Sequence, residues 1–127
     1  MNADRPLSSA MTVTLLLTAA VFFLLGGLFI LVPVAGGVVY GLEAHTASGL
    51  FYIRAIGLRD LAVAGYIVGL TVVGQRPALA ILLALTTVIP AGDLLLLGLG
   101  GTAAVLNYVL HAISLIVFAL LALWVRP

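Results

Sequence analysis

The chain of 127 residues contains no cysteine. Disulfides, thiolate-bound zinc, iron–sulfur clusters and thiol redox chemistry are therefore excluded, and with them the disulfide-forming four-helix membrane oxidoreductases. Charge is nearly as scarce: 7% of residues are charged, the cations are all arginine, and the formal net charge is +1. No basic patch or charge run remains to meet a phosphate backbone, so nucleic acid is not an expected partner. No P-loop, dinucleotide fingerprint, G-x-S-x-G or HExxH spacing occurs, and neither a cofactor nor a metal is expected.

Apolar surface is what the chain does have. Hydrophobic residues make up 65% of it and the mean hydropathy is +1.38, far above soluble domains, so the expected partner of most side chains is the lipid bilayer. Spanning a bilayer takes about 20 apolar residues at about 1.5 Å each, and four stretches qualify: 10–34, 52–73, 78–98 and 103–125. The first apolar run is too long for a signal-peptide core and no small-x-small cleavage site follows, so it reads as an uncleaved span. The connection Gly36 to Leu50 suits an interfacial loop or short surface helix, Gly74-Gln75-Arg76-Pro77 a tight turn, and Gly98 to Thr102 a second turn. The expected fold is all-α, one integral membrane domain over 1–127 forming a transmembrane four-helix up-down bundle. Arg5, Arg76 and Arg126 share one side, which predicts a plasma-membrane protein with both termini cytoplasmic.

Within the apolar spans lie Arg59 and Asp60, Asp93, and His111. Each costs on the order of several kcal/mol in hydrocarbon unless it finds a partner, a proton or water, so these residues are functional candidates by default. At about 1.5 Å per residue, Arg59 and Asp60 lie ~11–12 Å from the outer boundary, Asp93 ~9 Å, Asn107 ~6 Å and His111 ~12 Å. Three helices thus contribute to one layer. Asn107, His111 and Ser114 form a stripe at i, i+4 and i+7, and Thr86, Pro90 and Asp93 form another, with Pro90 freeing a carbonyl and predicting a kink. On the second span, 100° per residue separates Arg54, Arg59 and Asp60 too widely for one narrow face. Either Asp60, Gly57 and Arg54 face inward, with Gly57 leaving room for a ligand, or Arg59 and Asp60 share a face with Tyr66 while Arg54 snorkels. The bland alternatives are a structural ion pair for Arg59 with Asp60, a silent protonated Asp93, and packed rings for Tyr66 and Tyr108.

The stretch Phe51-Tyr52-Ile53-Arg54-Ala55-Ile56-Gly57-Leu58-Arg59-Asp60-Leu61, with Asp93 and His111 on later spans, is similar to the uncharacterised small four-helix membrane proteins related to the DoxX-like group. That resemblance implies a four-helix bundle with an interior polar site and little about activity. Small multidrug transporters carry their carboxylate on the first helix, where this chain has only threonines. In a fluoride channel two interior carboxylates would repel the anion.

Two carboxylates, an arginine and a histidine in a water-poor pocket are the ingredients of acid–base chemistry. The grouping resembles the Asp-Arg-Asp arrangement of the small soluble limonene-epoxide hydrolases, on a different fold. The expected function is a membrane-embedded hydrolase or isomerase acting on a lipophilic small molecule such as an epoxide. Asp93 is the expected general base, Asp60 the acid, Arg59 their bridge and His111 a positioner; Arg54, Asn107, Tyr66 and Tyr108 are expected substrate contacts. The alternatives are a proton-coupled transporter, or a structural or ligand-binding subunit. Gly65-x-x-x-Gly69 leaves a homo-oligomer open.

Overall fold

The computed structural model describes residues 6–127; Arg5, used above for orientation, lies outside them. Among the described residues six helices follow one another: α1 (Ser9–Leu31), α2 (Pro33–Tyr40), α3 (Ala47–Val72), α4 (Arg76–Thr86), α5 (Val88–Gly100) and α6 (Val105–Val125). Four stretches are long and apolar enough to cross a membrane, Ser9–Leu31, Ala47–Val72, Arg76–Gly100 and Val105–Val125, and the chain is a multi-pass helical membrane protein on that basis.

The boundaries have local causes. The Ser8 hydroxyl accepts the Met11 N–H and starts α1. Pro33 cannot continue that helix but suits a first turn, so α1 stops at Leu31 and α2 begins at Pro33, not after residue 34 as the apolar run alone suggests. The Thr46 hydroxyl accepts the Gly49 N–H at 3.1 Å, which starts α3 at Ala47, ahead of the expected residue 52. The third span breaks at Thr87: Pro90 has no N–H for the Thr86 carbonyl, and the Thr87 N–H turns instead to Ala84 at 3.3 Å.

Packing sets two apolar cores with a polar layer between them. Around the start of α1 and the end of α6, Leu15, Ile67, Leu79, Leu83, Phe118 and Val125 form the larger core. Arg76 closes that end, donating to the Val125 and Arg126 carbonyls at 2.9 Å each and tying the start of α4 to the end of α6. At the opposite end Phe29, Tyr40, Ile53 and Leu97 form the smaller core. The tightest helix pair is α1 with α3. A Cβ at Gly57 would stand 2.8 Å from the Gly26 carbonyl oxygen, and one at Gly26 the same distance from the Gly57 oxygen. The room expected at Gly57 for a ligand is thus filled by the backbone of α1.

The first connection holds the expected short helix, one face of which is exposed at Val34 and Val38. α2 folds inward, burying Tyr40, and Gly41 at φ 103° ends it in the left-handed conformation that glycine adopts without strain. A helix end leaves its last carbonyls without partners. Here Gly41 and Leu42 donate to Gly37, the Asn107 amide donates to Val38 and Val39 at 2.9 Å each, and the His111 ring meets Tyr40 at 2.9 Å. Side chains of α6 therefore cap α2 across the bundle.

Candidate functional site

Asp93 is the hub of the polar layer. Its Oδ1 accepts the Tyr40 hydroxyl at 2.8 Å and pairs with Arg59 Nη1 at 3.5 Å, while its Oδ2 faces His111 Nδ1 at 3.5 Å. Arg59 also donates from Nε to Asp60 Oδ1 at 3.2 Å, so one guanidinium spans both carboxylates. The Asp60 and Asp93 side chains are 5% and 8% exposed, against 32% for Arg59. One guanidinium within reach of both carboxylates lowers the cost of holding a charge at this depth.

The histidine tautomer follows from its neighbours. Nε2 lies on the Tyr40 carbonyl, an atom that only accepts, so Nε2 carries hydrogen. In the neutral ring Nδ1 is then an acceptor, and it faces a carboxylate oxygen. Two acceptors at 3.5 Å call for a shared proton or a water donating to both. The Tyr40 ring also stands edge-on to the imidazole, with centroids 5.0 Å apart. Burial first, then the bond to Asp93, raises the Tyr40 phenol above its ordinary value, which keeps it a neutral donor.

These groups line a cavity of about 240 Å³ whose other walls are apolar, among them Phe22, Leu25, Val63, Ile89 and Pro90. Thr86 and Ser114 line it too, with hydroxyls returned to the Leu82 and Leu110 carbonyls of their own helices. Thr86 and Pro90, on either side of the break at Thr87, both line the cavity.

The structure brings together Arg59, Asp60, Asp93 and His111 as the sequence suggests. It sends the four expected substrate contacts elsewhere. Arg54 points outward and donates to the Ile30 carbonyl at 3.4 Å. Tyr66 is exposed on the outer face of α3. Tyr108 packs against the smaller core. Asn107 is buried and fully engaged, accepting the Ala104 N–H through its side-chain oxygen while its amide caps α2. Between the two arginines, Arg59 is the inward partner. Tyr40 is the site residue that sequence reasoning missed. Among the described residues no three carboxylate, imidazole or thiol groups form a metal-binding cluster.

Fold and site together define a small helical membrane protein with a charged, half-enclosed interior chamber. A family model matches residues 19–125, and the chain belongs to that family, a domain of unknown function designated DUF4267. The match covers every residue of the chamber. No curated protein and no solved structure matches the chain.

Proposed function

We propose that the protein is a membrane-embedded hydrolase that opens an epoxide, or a comparably strained oxygen function, on a lipophilic small molecule. The observation that carries this reading is Arg59 spanning Asp60 and Asp93 at the wall of an apolar cavity. A single cation shared by two carboxylates couples them, so the loss of a proton from one favours its uptake elsewhere in the pair.

In this reading a water donates one hydrogen to Asp93 Oδ2 and the other to His111 Nδ1, the two acceptors that stand 3.5 Å apart. Asp93 is assigned the base because its Oδ2 is the carboxylate oxygen that meets this water, while its Oδ1 is held by the Tyr40 hydroxyl and Arg59. It takes a proton as the water oxygen bonds to a ring carbon. The carbon–oxygen bond of the epoxide breaks, and the departing oxygen takes the proton held by Asp60. The product is a diol, and the cycle closes when the proton left on Asp93 returns to Asp60 through cavity water. Apolar cores above and below the cavity favour this chemistry over a transport path across the membrane.

The remaining readings belong to the same proposal. The spans alternate across a plasma membrane as an up-down bundle, with Arg76 and Arg126 on the cytoplasmic side. Kinship with the DoxX-like group rests on the Arg54-x-x-Gly57-x-Arg59-Asp60 segment. The test is turnover of a long-chain terminal epoxide by purified protein in lipid nanodiscs. Asp60→Asn and Asp93→Asn are each expected to fold and to lose turnover; wild-type rates in both variants would overturn the assignment.

A further inference from the structure

The cavity has a mouth, and its position says where a ligand comes from. Of the residues lining the cavity, Val21, Leu110 and Ile113 are exposed, at 52%, 40% and 53%. One lies on α1 and two on α6, while the cavity residues of α3, α4 and α5 are buried or half-buried. α1 packs chiefly on α3, and α6 on α4 and α5, which leaves α1 and α6 loosely joined. Below the gap the Phe22 and Phe118 rings meet at 5.0 Å, and above it α2 closes the bundle.

Depth decides the solvent at this mouth. At about 1.5 Å per residue, Val21 lies ~15 Å from the Leu31 end of α1, and Ile113 lies ~12 Å from the Val105 end of α6. Both positions fall within a hydrocarbon layer about 30 Å thick. Water does not reach such an opening freely, whereas a lipid tail lies beside it. The charged groups stand behind the mouth, Arg59 and Asp60 on α3 and Asp93 on α5.

We infer that the gap between α1 and α6 is a lateral portal through which a membrane-dissolved amphiphile inserts its oxygen-bearing end, leaving its hydrocarbon tail in the bilayer. A volume of about 240 Å³ is below the roughly 300–1,000 Å³ of pockets that enclose a whole drug-sized ligand, which fits a ligand held by one end. The substrate class is then a long-chain or isoprenoid lipid with one terminal oxygen function. This inference rests on the reading of the cavity as the substrate site.

The probe is a long-chain terminal epoxide with a photoreactive diazirine on its tail, added to protein in nanodiscs and followed by peptide mapping and turnover. Label is expected on the α1 and α6 segments around Val21, Leu110 and Ile113. The double variant Val21→Trp, Ile113→Trp is expected to reduce it by roughly tenfold or more. Leu58→Trp and Ile81→Trp, on outward faces of α3 and α4, are expected to leave it unchanged and control for folding. Label confined to the portal without turnover of any epoxide would keep the portal and overturn the hydrolase reading. Turnover with label spread evenly over all lipid-facing helices, or undiminished by the paired tryptophans, would overturn the portal.

Discussion

The Tyr40 hydroxyl donates to Asp93 Oδ1 at 2.8 Å, joining a short helix outside the four spans to the carboxylate at the centre of the chamber. That bond pins α2 to α5. Replacing Tyr40 with Phe removes the donor and leaves the ring in place. Hydrogen bonds to charged groups contribute about 1.5–3 kcal/mol, so a loss of that order is expected in unfolding measured in lipid, together with slower turnover. Unchanged stability would show that α2 is held without it.

The same residue has a pH signature. Its phenol is raised in the folded protein, so the folded state holds its proton where the unfolded chain releases it. The contribution is fully present below about pH 10, the ordinary tyrosine value, and is lost as pH climbs above it through the folded value. Alkaline unfolding curves of the wild type are expected to fall more steeply above that point than those of Tyr40→Phe.

Close contact between α1 and α3 gives a contrast within one residue type. Gly57→Ala places a methyl 2.8 Å from the Gly26 carbonyl oxygen, where the backbone must shift, and overpacking of this kind costs about 1–3 kcal/mol. Gly65 and Gly69 face open space, so alanine at either is expected to be tolerated. Thermal unfolding of the three variants in one lipid checks the order.

Asn107 anchors α2 by two hydrogen bonds and caps its own helix α6 with a third, so Asn107→Ala leaves the Val38 and Val39 carbonyls and the Ala104 N–H without those partners. Faster hydrogen exchange at residues 33–42 is expected, with little change in the core around Leu79 and Leu83. Equal acceleration in both regions would mean that α2 and the core open as one unit.

What the sequence revealed and what it hid have separate physical causes. Arg59, Asp60, Asp93 and His111 stand out because an ion or imidazole in an apolar span demands a partner, and the depth arithmetic puts them in one layer. Helical angles alone could not choose between Arg54 and Arg59, since the choice depends on where α1 packs, and that is set by the Gly26 and Gly57 backbones. Tyr40 was invisible because nothing local turns α2 inward; its end is held by Asn107 and His111, roughly seventy residues away. Asn107 itself read as a substrate group because an amide that caps a helix and one that binds a ligand look alike in sequence.

The most direct test of the Asp60–Arg59–Asp93 relay is a single turnover in ¹⁸O-labelled water, with enzyme in excess over a long-chain terminal epoxide in nanodiscs. Attack by water activated at Asp93 predicts a diol that carries the heavy oxygen from its first turnover, and no diol with Asp93→Asn. An unlabelled first-turnover diol, or undiminished diol from Asp93→Asn, would contradict the account.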